Sequence, residues 1–291
     1  MLFDETGQHP EAFDSVFPNN WFTTHSSSDD EVEDQEKEKE KEKEKEKEKE
    51  KEKEKEWTKK STLLVLYPMA APSRRLEQRP DIIGTIGANR VVDLSSLCQK
   101  EEYLEGTGSM VLDRNHCIAY VALSHRSHPT ALAAWQEIFP AWTIVSFHAQ
   151  DAKGRPIYHT NVILSVGMSV AVCCLEAIVN EEERQRLVDS MQTHQQLVSI
   201  SFRQMEQFCA NILQVMPSRY SSSEKHEKER ESVGGSPFWI MSTTAYRGLD
   251  PAQKQVLSRG GQERLVHVPI PVIEQIGGGS LRCCCAENFT I

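Results

Sequence analysis

Short apolar runs and longer amphipathic stretches alternate along this chain. The apolar runs are rich in β-branched and aromatic residues and are short enough to be strands. They cover residues 62–67, 117–123, 142–147 and 170–175. The amphipathic stretches have helical spacing, and two of them begin with proline, which fits the first turn of a helix. They cover residues 129–139, 181–194, 202–215 and 251–259. This alternation predicts an α/β domain with a recurring strand–helix–strand unit.

Two polar stretches interrupt the pattern. Between residues 36 and 56 glutamate and lysine alternate strictly, which places like charges four residues apart and supports a helix poorly. We therefore expect residues 26–60 to form a disordered, solvated insertion. Residues 221–235 are expected to form an exposed polar loop. The predicted organisation is a single domain over residues 1–291, with its ordered core in 14–25 and 62–289.

Composition narrows the class of protein. A chain of 291 residues with 38% hydrophobic content can bury one substantial core. Its net charge of −10 argues against a nucleic-acid surface, which needs clustered lysine and arginine. Neither a signal peptide nor a run of eighteen apolar residues is present, so we expect a soluble cytoplasmic protein without membrane contact. The eight cysteines lack zinc-site or dithiol spacing.

The segment from Gly277 to Glu287 carries the first candidate chemistry. Three glycines precede Ser280, and Arg282 directly precedes a cysteine triplet. A flexible turn allows close approach to a ligand, and a neighbouring cation favours the reactive thiolate. A strand over 281–286 would send Cys283 and the third cysteine of the triplet to one face. The alternative is a buried apolar strand in which cysteine acts as a small hydrophobe.

Four further segments combine polar residues with strand-like runs. They are Phe-Pro-Asn-Asn-Trp-Phe-Thr-Thr-His at 17–25, Leu-Glu-Gly-Thr-Gly-Ser at 104–109, Leu-Ser-His-Arg-Ser-His at 123–128 and Tyr-His-Thr-Asn-Val at 158–162. Each alone is explained by a polar turn, a glycine turn, a solvated loop end or a satisfied histidine. Their order along the chain is the informative feature.

In that order, and followed by Gly-Gly-x-x-Arg-Cys, the motifs resemble those of the guanidine-modifying enzyme superfamily. It includes arginine deiminase, dimethylarginine dimethylaminohydrolase and the glycine amidinotransferases. The chain most resembles the citrulline-utilisation hydrolase branch, whose members carry a very similar Phe-Pro-Asn-Asn-Trp-Phe stretch. The resemblance covers about residues 14–289 outside the two insertions. It implies a pseudo-fivefold α/β propeller of the amidinotransferase, or pentein, type.

The resemblance also implies roles for individual residues. Cys283 would be the nucleophile, His159 the general acid and base, and Glu105 a carboxylate that orients the substrate. Arg126 would bind a substrate carboxylate, because a guanidinium pairs with that group in a bidentate manner. The substrate would be a small amino acid with a ureido or guanidino group, and no cofactor is implied.

Two positions depart from arginine deiminase. That enzyme has aspartate where Asn20 and Asn161 stand, and both aspartates face a cationic guanidinium. Burying a cation without counter-charges is costly, whereas an amide donates to and accepts from a neutral ureido group. With Asn19 beside them, these amides are the expected substrate-binding residues and favour citrulline, whose hydrolysis would yield ornithine, ammonia and carbon dioxide. Arginine stays an alternative.

Two other hypotheses stay open. Relatives begin several dozen residues earlier, so the chain is expected to lack most of the first propeller unit. It would then be an inactive relative that binds a partner or metabolite, with an open sheet edge. A weaker hypothesis is metal binding through the cysteines and through His25, His116, His125, His128 and His148, although no metal is expected. The sequence leaves the oligomeric state open.

Overall fold

The computed structural model describes residues 16–26, 62–216 and 235–290. Most of the predicted insertion at 26–60 and of the predicted loop at 221–235 lies outside the described residues, so both stay predictions. Within the described part of the chain, no helix is long and apolar enough to cross a membrane.

The described residues form four small three-stranded sheets, and every sheet is built in the same way. The first two strands pair antiparallel, and the second and third pair parallel across a helical connection. Parallel neighbours need such a crossover, which explains why helices separate them. The strands are, unit by unit, β1 Phe22–Ser26, β2 Thr62–Leu66 and β3 Arg90–Asp93; β4 Met110–Asp113, β5 Ile118–Ala122 and β6 Thr143–Phe147; β7 Leu164–Val166, β8 Val170–Cys173 and β9 Gln196–Ser199; β10 Leu213–Val215, β11 Phe238–Ser242 and β12 Arg264–Val268.

Helices connect and flank these strands. The α-helices are α1 Pro72–Arg75, α2 Pro80–Ile86, α3 Gly106–Ser109, α4 Pro129–Ile138, α5 Glu181–His194, α6 Phe202–Glu206, α7 Thr243–Gly248 and α8 Pro251–Leu257. Short 3-10 helices cover Pro18–Asn20, Ser95–Lys100, Thr160–Val162 and Leu175–Ala177, and a π-helix covers Ile273–Gly277. The predicted mixed α/β class is confirmed. Four repeated units are described, and the fivefold propeller stays a prediction.

Three of the four predicted helices are confirmed, but the helix predicted over residues 202–215 is wrong. That segment begins as α6, capped at Ser201, and the helix ends at Glu206. Phe208 then adopts a left-handed backbone with φ of 61°, which a continuing right-handed helix excludes. The chain turns and enters β10 instead. Residues 207–212 therefore form a largely buried turn, and residue 211 within it contacts the cysteine segment.

The central strand β5 is buried on both faces and separates two cores. Ile118, Tyr120 and Ala122 pack into a cluster shared with the third and fourth units. Ala119 and Val121 belong to a second cluster with Trp135 of α4 and with Phe139 and Trp142, which follow that helix. Side chains alternate across a strand, so a continuous apolar run serves both layers at once. This explains why the run 117–123 shows no polar alternation.

The carboxyl-terminal segment lies between the first and the fourth unit. On one side, the hydroxyl of the buried Thr24 in β1 donates to the carbonyl of Glu287 and accepts the backbone N–H of Phe289, both at 2.8 Å. On the other side, the backbone N–H of Cys283 donates to the side chain of Asn211 at 3.4 Å. These contacts hold the cysteine triplet against two units that are distant in sequence.

Helix α3 packs directly on the backbone of the 3-10 helix Pro18–Asn20. A Cβ atom built on Gly106 would lie 2.4 Å from the carbonyl oxygen of Asn19, and one on Gly108 would lie 2.2 Å from Oδ1 of Asn20. Both distances are far below van der Waals contact. The Gly-x-Gly spacing is therefore a packing requirement that brings the first and second units together.

We predict that Thr24→Val loosens the carboxyl-terminal segment. The change removes one donor and one acceptor from a buried site, which costs about 1–3 kcal/mol in the free energy of unfolding. Urea denaturation measures the loss. The matched control is Thr193→Val, whose exposed hydroxyl bonds only within α5 and whose loss should cost less than about 0.5 kcal/mol. Equal effects of the two substitutions would contradict this assignment.

We predict that Gly108→Ala destabilises the protein by about 1–3 kcal/mol, because the new methyl group displaces the buried Asn20 side chain. Thermal denaturation measures the change. Gly84→Ala is the control, since a Cβ built there meets nothing within 4 Å. Because Gly84 lies in α2, alanine should leave stability unchanged or raise it by up to about 1 kcal/mol. Similar melting temperatures for both variants would refute the close approach.

Candidate active site

The 3-10 helix Pro18–Asn20 places two buried amide side chains at the site. Its proline occupies the first turn, and the turn closes through the backbone N–H of Trp21. Asn19 and Asn20 are almost completely buried. Neither Oδ1 nor Nδ2 of Asn19 has a hydrogen-bond partner among the described residues, and the same is true of Oδ1 of Asn20. Buried amides in proteins are nearly always hydrogen-bonded, so these atoms are suited to a ligand.

The Glu105 carboxylate lies at the amino-terminal end of α3 and is completely buried. Its Oε1 accepts the backbone N–H of Ala70 at 3.0 Å. Its Oε2 lies 2.6 Å from Nε2 of His159 and 3.3 Å from Nη1 of Arg126. Groups from three units thus converge on the Glu105 carboxylate. This contact brings together three predicted site residues, Glu105, Arg126 and His159.

The pKa of the Glu105 carboxyl is set by opposing effects. Burial raises it, but the hydrogen bond from His159 and the charges of His159 and Arg126 outweigh burial and lower the pKa to about 2. Glu105 is therefore ionised and acts only as an acceptor. It follows that Nε2 of His159 carries a proton and that Nδ1 is the acceptor of the neutral ring.

Burial lowers the pKa of His159, and the positive charge of Arg126 lowers it further, while Glu105 opposes both. The imidazole is consequently neutral near pH 7 and available as a base. The carboxylate on Nε2 stabilises the charge that the ring acquires when Nδ1 takes up a proton. The paired carboxylate and imidazole thus suit general acid and base catalysis.

Arg126 lies at the edge of this group. Its guanidinium is partly exposed and covers the ring of Tyr158 at 4.4 Å from the ring centroid. The loop is held by Ser109, whose hydroxyl donates to the backbone carbonyl of Arg126 at 2.6 Å. Arg126 compensates the charge of Glu105. Its predicted role in binding a substrate carboxylate stays a prediction.

Residues 281–286 do not form the strand that was considered for them. This segment is a turn in which the N–H groups of Cys283 and Cys284 point to the carbonyl of Ser280. Cys283 is buried. The Arg282 guanidinium donates to the carbonyl of Cys285 at 2.7 Å and to the Glu287 carboxylate at 3.1 Å, and its predicted effect on the neighbouring thiol stays a prediction.

Two amides, one of them unforeseen, hold the Cys283 thiol. Nδ2 of Asn161 lies 3.5 Å from Sγ, and Nδ2 of Asn211 lies 3.2 Å from it. Asn161 is two residues from His159, so this short segment links the thiol to the Glu105 group. Sequence reasoning missed Asn211, because residue 211 fell inside a predicted helix and no motif marked it. Oδ1 of Asn161 also has no partner among the described residues.

The histidines considered for metal binding do not converge. Nδ1 of His128 accepts the backbone N–H of Thr130 at the start of α4, and His125 packs on the ring of Tyr158. Within the described ranges, no group of three or more histidine, cysteine, aspartate or glutamate side chains could hold a metal ion. The metal hypothesis therefore has no structural support in this part of the chain.

Solved structures share this fold at low sequence identity. The arginine dihydrolase ArgZ from the ornithine–ammonia cycle of cyanobacteria matches with a TM-score of 0.53 and 14% identity, over 76% of this chain and 28% of ArgZ. The amino-terminal domain of an ArgZ variant, covalently bound to a reaction intermediate, matches with a TM-score of 0.54 and 15% identity, over 77% of this chain and 70% of that domain. AgrE in complex with ornithine and NAD+ matches with a TM-score of 0.54 and 17% identity, over 76% of this chain and 28% of AgrE.

This chain therefore spans less than a third of full-length ArgZ and AgrE. No curated protein matches the chain in sequence. The model of the family described as eukaryotic N,N dimethylarginine dimethylhydrolase matches residues 41–290. That range contains Glu105, His159 and Cys283, whereas Asn19 and Asn20 precede it. The chain thus belongs to the eukaryotic N,N dimethylarginine dimethylhydrolase family, within the superfamily of guanidine-modifying enzymes.

Proposed function

We propose that this chain is a cysteine hydrolase that acts on a carbon–nitrogen bond in the ureido or guanidino group of an amino acid. One observation carries the proposal: the buried Cys283 thiol is bonded to Asn161, two residues from a histidine that is paired with an ionised carboxylate. A nucleophile, a base and a group that orients the base are the parts that covalent catalysis requires. We also infer that the four units belong to a pseudo-fivefold propeller.

The proposed reaction uses one cysteine and one histidine in two steps. Nδ1 of His159 takes the thiol proton, and Sγ of Cys283 attacks the central carbon to form a C–S bond and a tetrahedral intermediate. The imidazolium returns that proton to the departing nitrogen, and the C–N bond breaks. Water then attacks the covalent adduct while His159 removes its proton. The C–S bond breaks, and the imidazolium returns that proton to the sulfur, which regenerates the Cys283 thiol and the neutral imidazole. Glu105 remains ionised and orients the imidazole throughout.

The charges around the site support a neutral substrate group. The negative charge of Glu105 is balanced by Arg126 at 3.3 Å and by its hydrogen bond with His159. A second buried carboxylate, Glu77, forms an ion pair with Arg74 at 2.7 Å. A guanidinium would therefore enter without a spare counter-charge, which is costly when it is desolvated.

The open hydrogen-bonding positions support the same substrate class. Oδ1 of Asn20 and Oδ1 of Asn161 can accept N–H groups, and Asn19 offers both a donor and an acceptor. A ureido group has one carbonyl oxygen and two nitrogens that donate, which matches this set. We therefore propose citrulline as the substrate, with arginine as the second candidate. Departure of ornithine leaves a carbamoyl adduct on Cys283, whose hydrolysis releases carbamate, and carbamate breaks down in water to ammonia and carbon dioxide.

We predict turnover of citrulline that depends on Cys283. Purified protein should release ornithine and ammonia, and Cys283→Ser should lower kcat by at least about a thousand-fold. Because the pKa of His159 is lowered, activity should persist when the pH falls to about 6.5, where an ordinary histidine is half protonated. The control Cys284→Ser should retain activity. Absence of Cys283-dependent turnover with citrulline, arginine and N,N-dimethylarginine would instead support the inactive, ligand-binding relative.

We predict that Asn20→Asp shifts the preference from ureido toward guanidino substrates. A carboxylate at this position supplies the counter-charge that a guanidinium lacks, so the ratio of kcat/KM for arginine to that for citrulline should rise at least about tenfold. Steady-state kinetics with both substrates measure the ratio. Asn89→Asp is the control, since Asn89 bonds to Thr62 at the edge of the first sheet. An unchanged ratio in Asn20→Asp would refute the assignment of Asn20.

A further inference from the structure

Asn211, which no sequence motif marked, contacts Cys283 through both atoms of its side-chain amide. It lies in the turn between α6 and β10 and is completely buried. Its Nδ2 lies 3.2 Å from Sγ of Cys283, and its Oδ1 accepts the backbone N–H of the same residue at 3.4 Å. The amide therefore holds the cysteine at two points.

The direction of this amide is determined by its other partners. A backbone N–H only donates and a backbone carbonyl only accepts. Oδ1 faces the N–H of Cys283, and Nδ2 also donates to the carbonyl of Asn161 at 3.0 Å. Rotating the amide by half a turn would break both bonds. The second hydrogen of Nδ2 is consequently directed at the sulfur.

An N–H group directed at sulfur acts on the charged form of the thiol. Hydrogen bonds to an anion favour ionisation, and a thiolate is the reactive species. No cation replaces this effect within the described ranges, since the hydrogen-bond donors to Sγ there are the amides of Asn161 and Asn211. Arg282 is engaged with Glu287.

We propose that Asn211 is a positioning residue that directs the Cys283 sulfur toward the segment carrying His159 and stabilises its ionised form before substrate binds. The inference rests on the proposed function, in which Cys283 is the nucleophile. Asn211 contacts the thiol, the backbone of Cys283 and the backbone of Asn161, so it couples the turn at 281–284 to the third unit. It acts through Cys283 and needs no contact with substrate.

The test measures alkylation of Cys283 by iodoacetamide as a function of pH, without substrate. The full chain with Cys284→Ser and Cys285→Ser is used, and mass spectrometry of the peptide quantifies Cys283. The isosteric Asn211→Asp removes the donor and adds a negative charge. We expect the midpoint of its pH–rate profile to rise by about one pH unit or more and the rate at pH 7 to fall at least about tenfold. Asn211→Ser retains a hydroxyl donor and should recover part of the loss.

Asn89→Ala is the matched control and should leave the profile unchanged. A purely structural role for Asn211 would alter the alkylation rate at every pH without moving the midpoint, and that result would overturn the proposal. Because alkylation needs no turnover, an unchanged midpoint is distinguishable from failure of the proposed function, which the citrulline assay detects separately.

A second measurement avoids substitutions at position 211. In the otherwise unmodified chain, the side-chain amide resonances of Asn211, followed by NMR, should titrate with the same midpoint as the alkylation rate. The titration should disappear in Cys283→Ser. Amide resonances that stay constant while Cys283 ionises would refute the hydrogen bond, even if every variant at position 211 fails to fold.

Discussion

The buried carboxylate of Glu105 is the interaction on which the arrangement of this protein depends. It accepts a backbone N–H from the first unit, pairs with Arg126 of the second and bonds to His159 at the entrance to the third. An uncompensated buried charge is strongly destabilising, so all three partners must be in place when the chain folds. The contacts that compensate the buried charge of Glu105 therefore hold the units together and also fix the orientation of the His159 imidazole.

Around this charge the site is built from amides. Asn19, Asn20, Asn161 and Asn211 are all buried, and they supply neutral donors and acceptors rather than further carboxylates. A site with one compensated negative charge and several amides is electrostatically suited to a polar, uncharged group. This electrostatic match is the physical reason why we propose a ureido substrate.

The carboxyl-terminal turn brings Cys283, the proposed nucleophile, to this site by contacts at both ends. Thr24 holds the chain after the cysteines, and Asn211 holds Cys283 itself. Burial raises the pKa of the neighbouring Cys284 thiol to about 12. Gly277 and Gly279, which precede the turn, pack against the ring of Phe17, where a larger residue would collide.

The order of short motifs along the sequence was enough to identify the superfamily and to select Glu105, His159 and Cys283 as candidates. The apolar run at 117–123 predicted β5, because a strand buried on both faces must be continuously hydrophobic. Periodicity could not reveal that α6 ends at Glu206, since that end depends on the backbone conformation of Phe208 and on burial of the turn after it. Nor could it show the direction of the Arg126 and Arg282 side chains, which is decided by carboxylates elsewhere in the fold. Sequence determined which chemical groups are available, and tertiary structure decided which of them meet, because hydrogen bonds and ion pairs between distant segments form only when the units pack together.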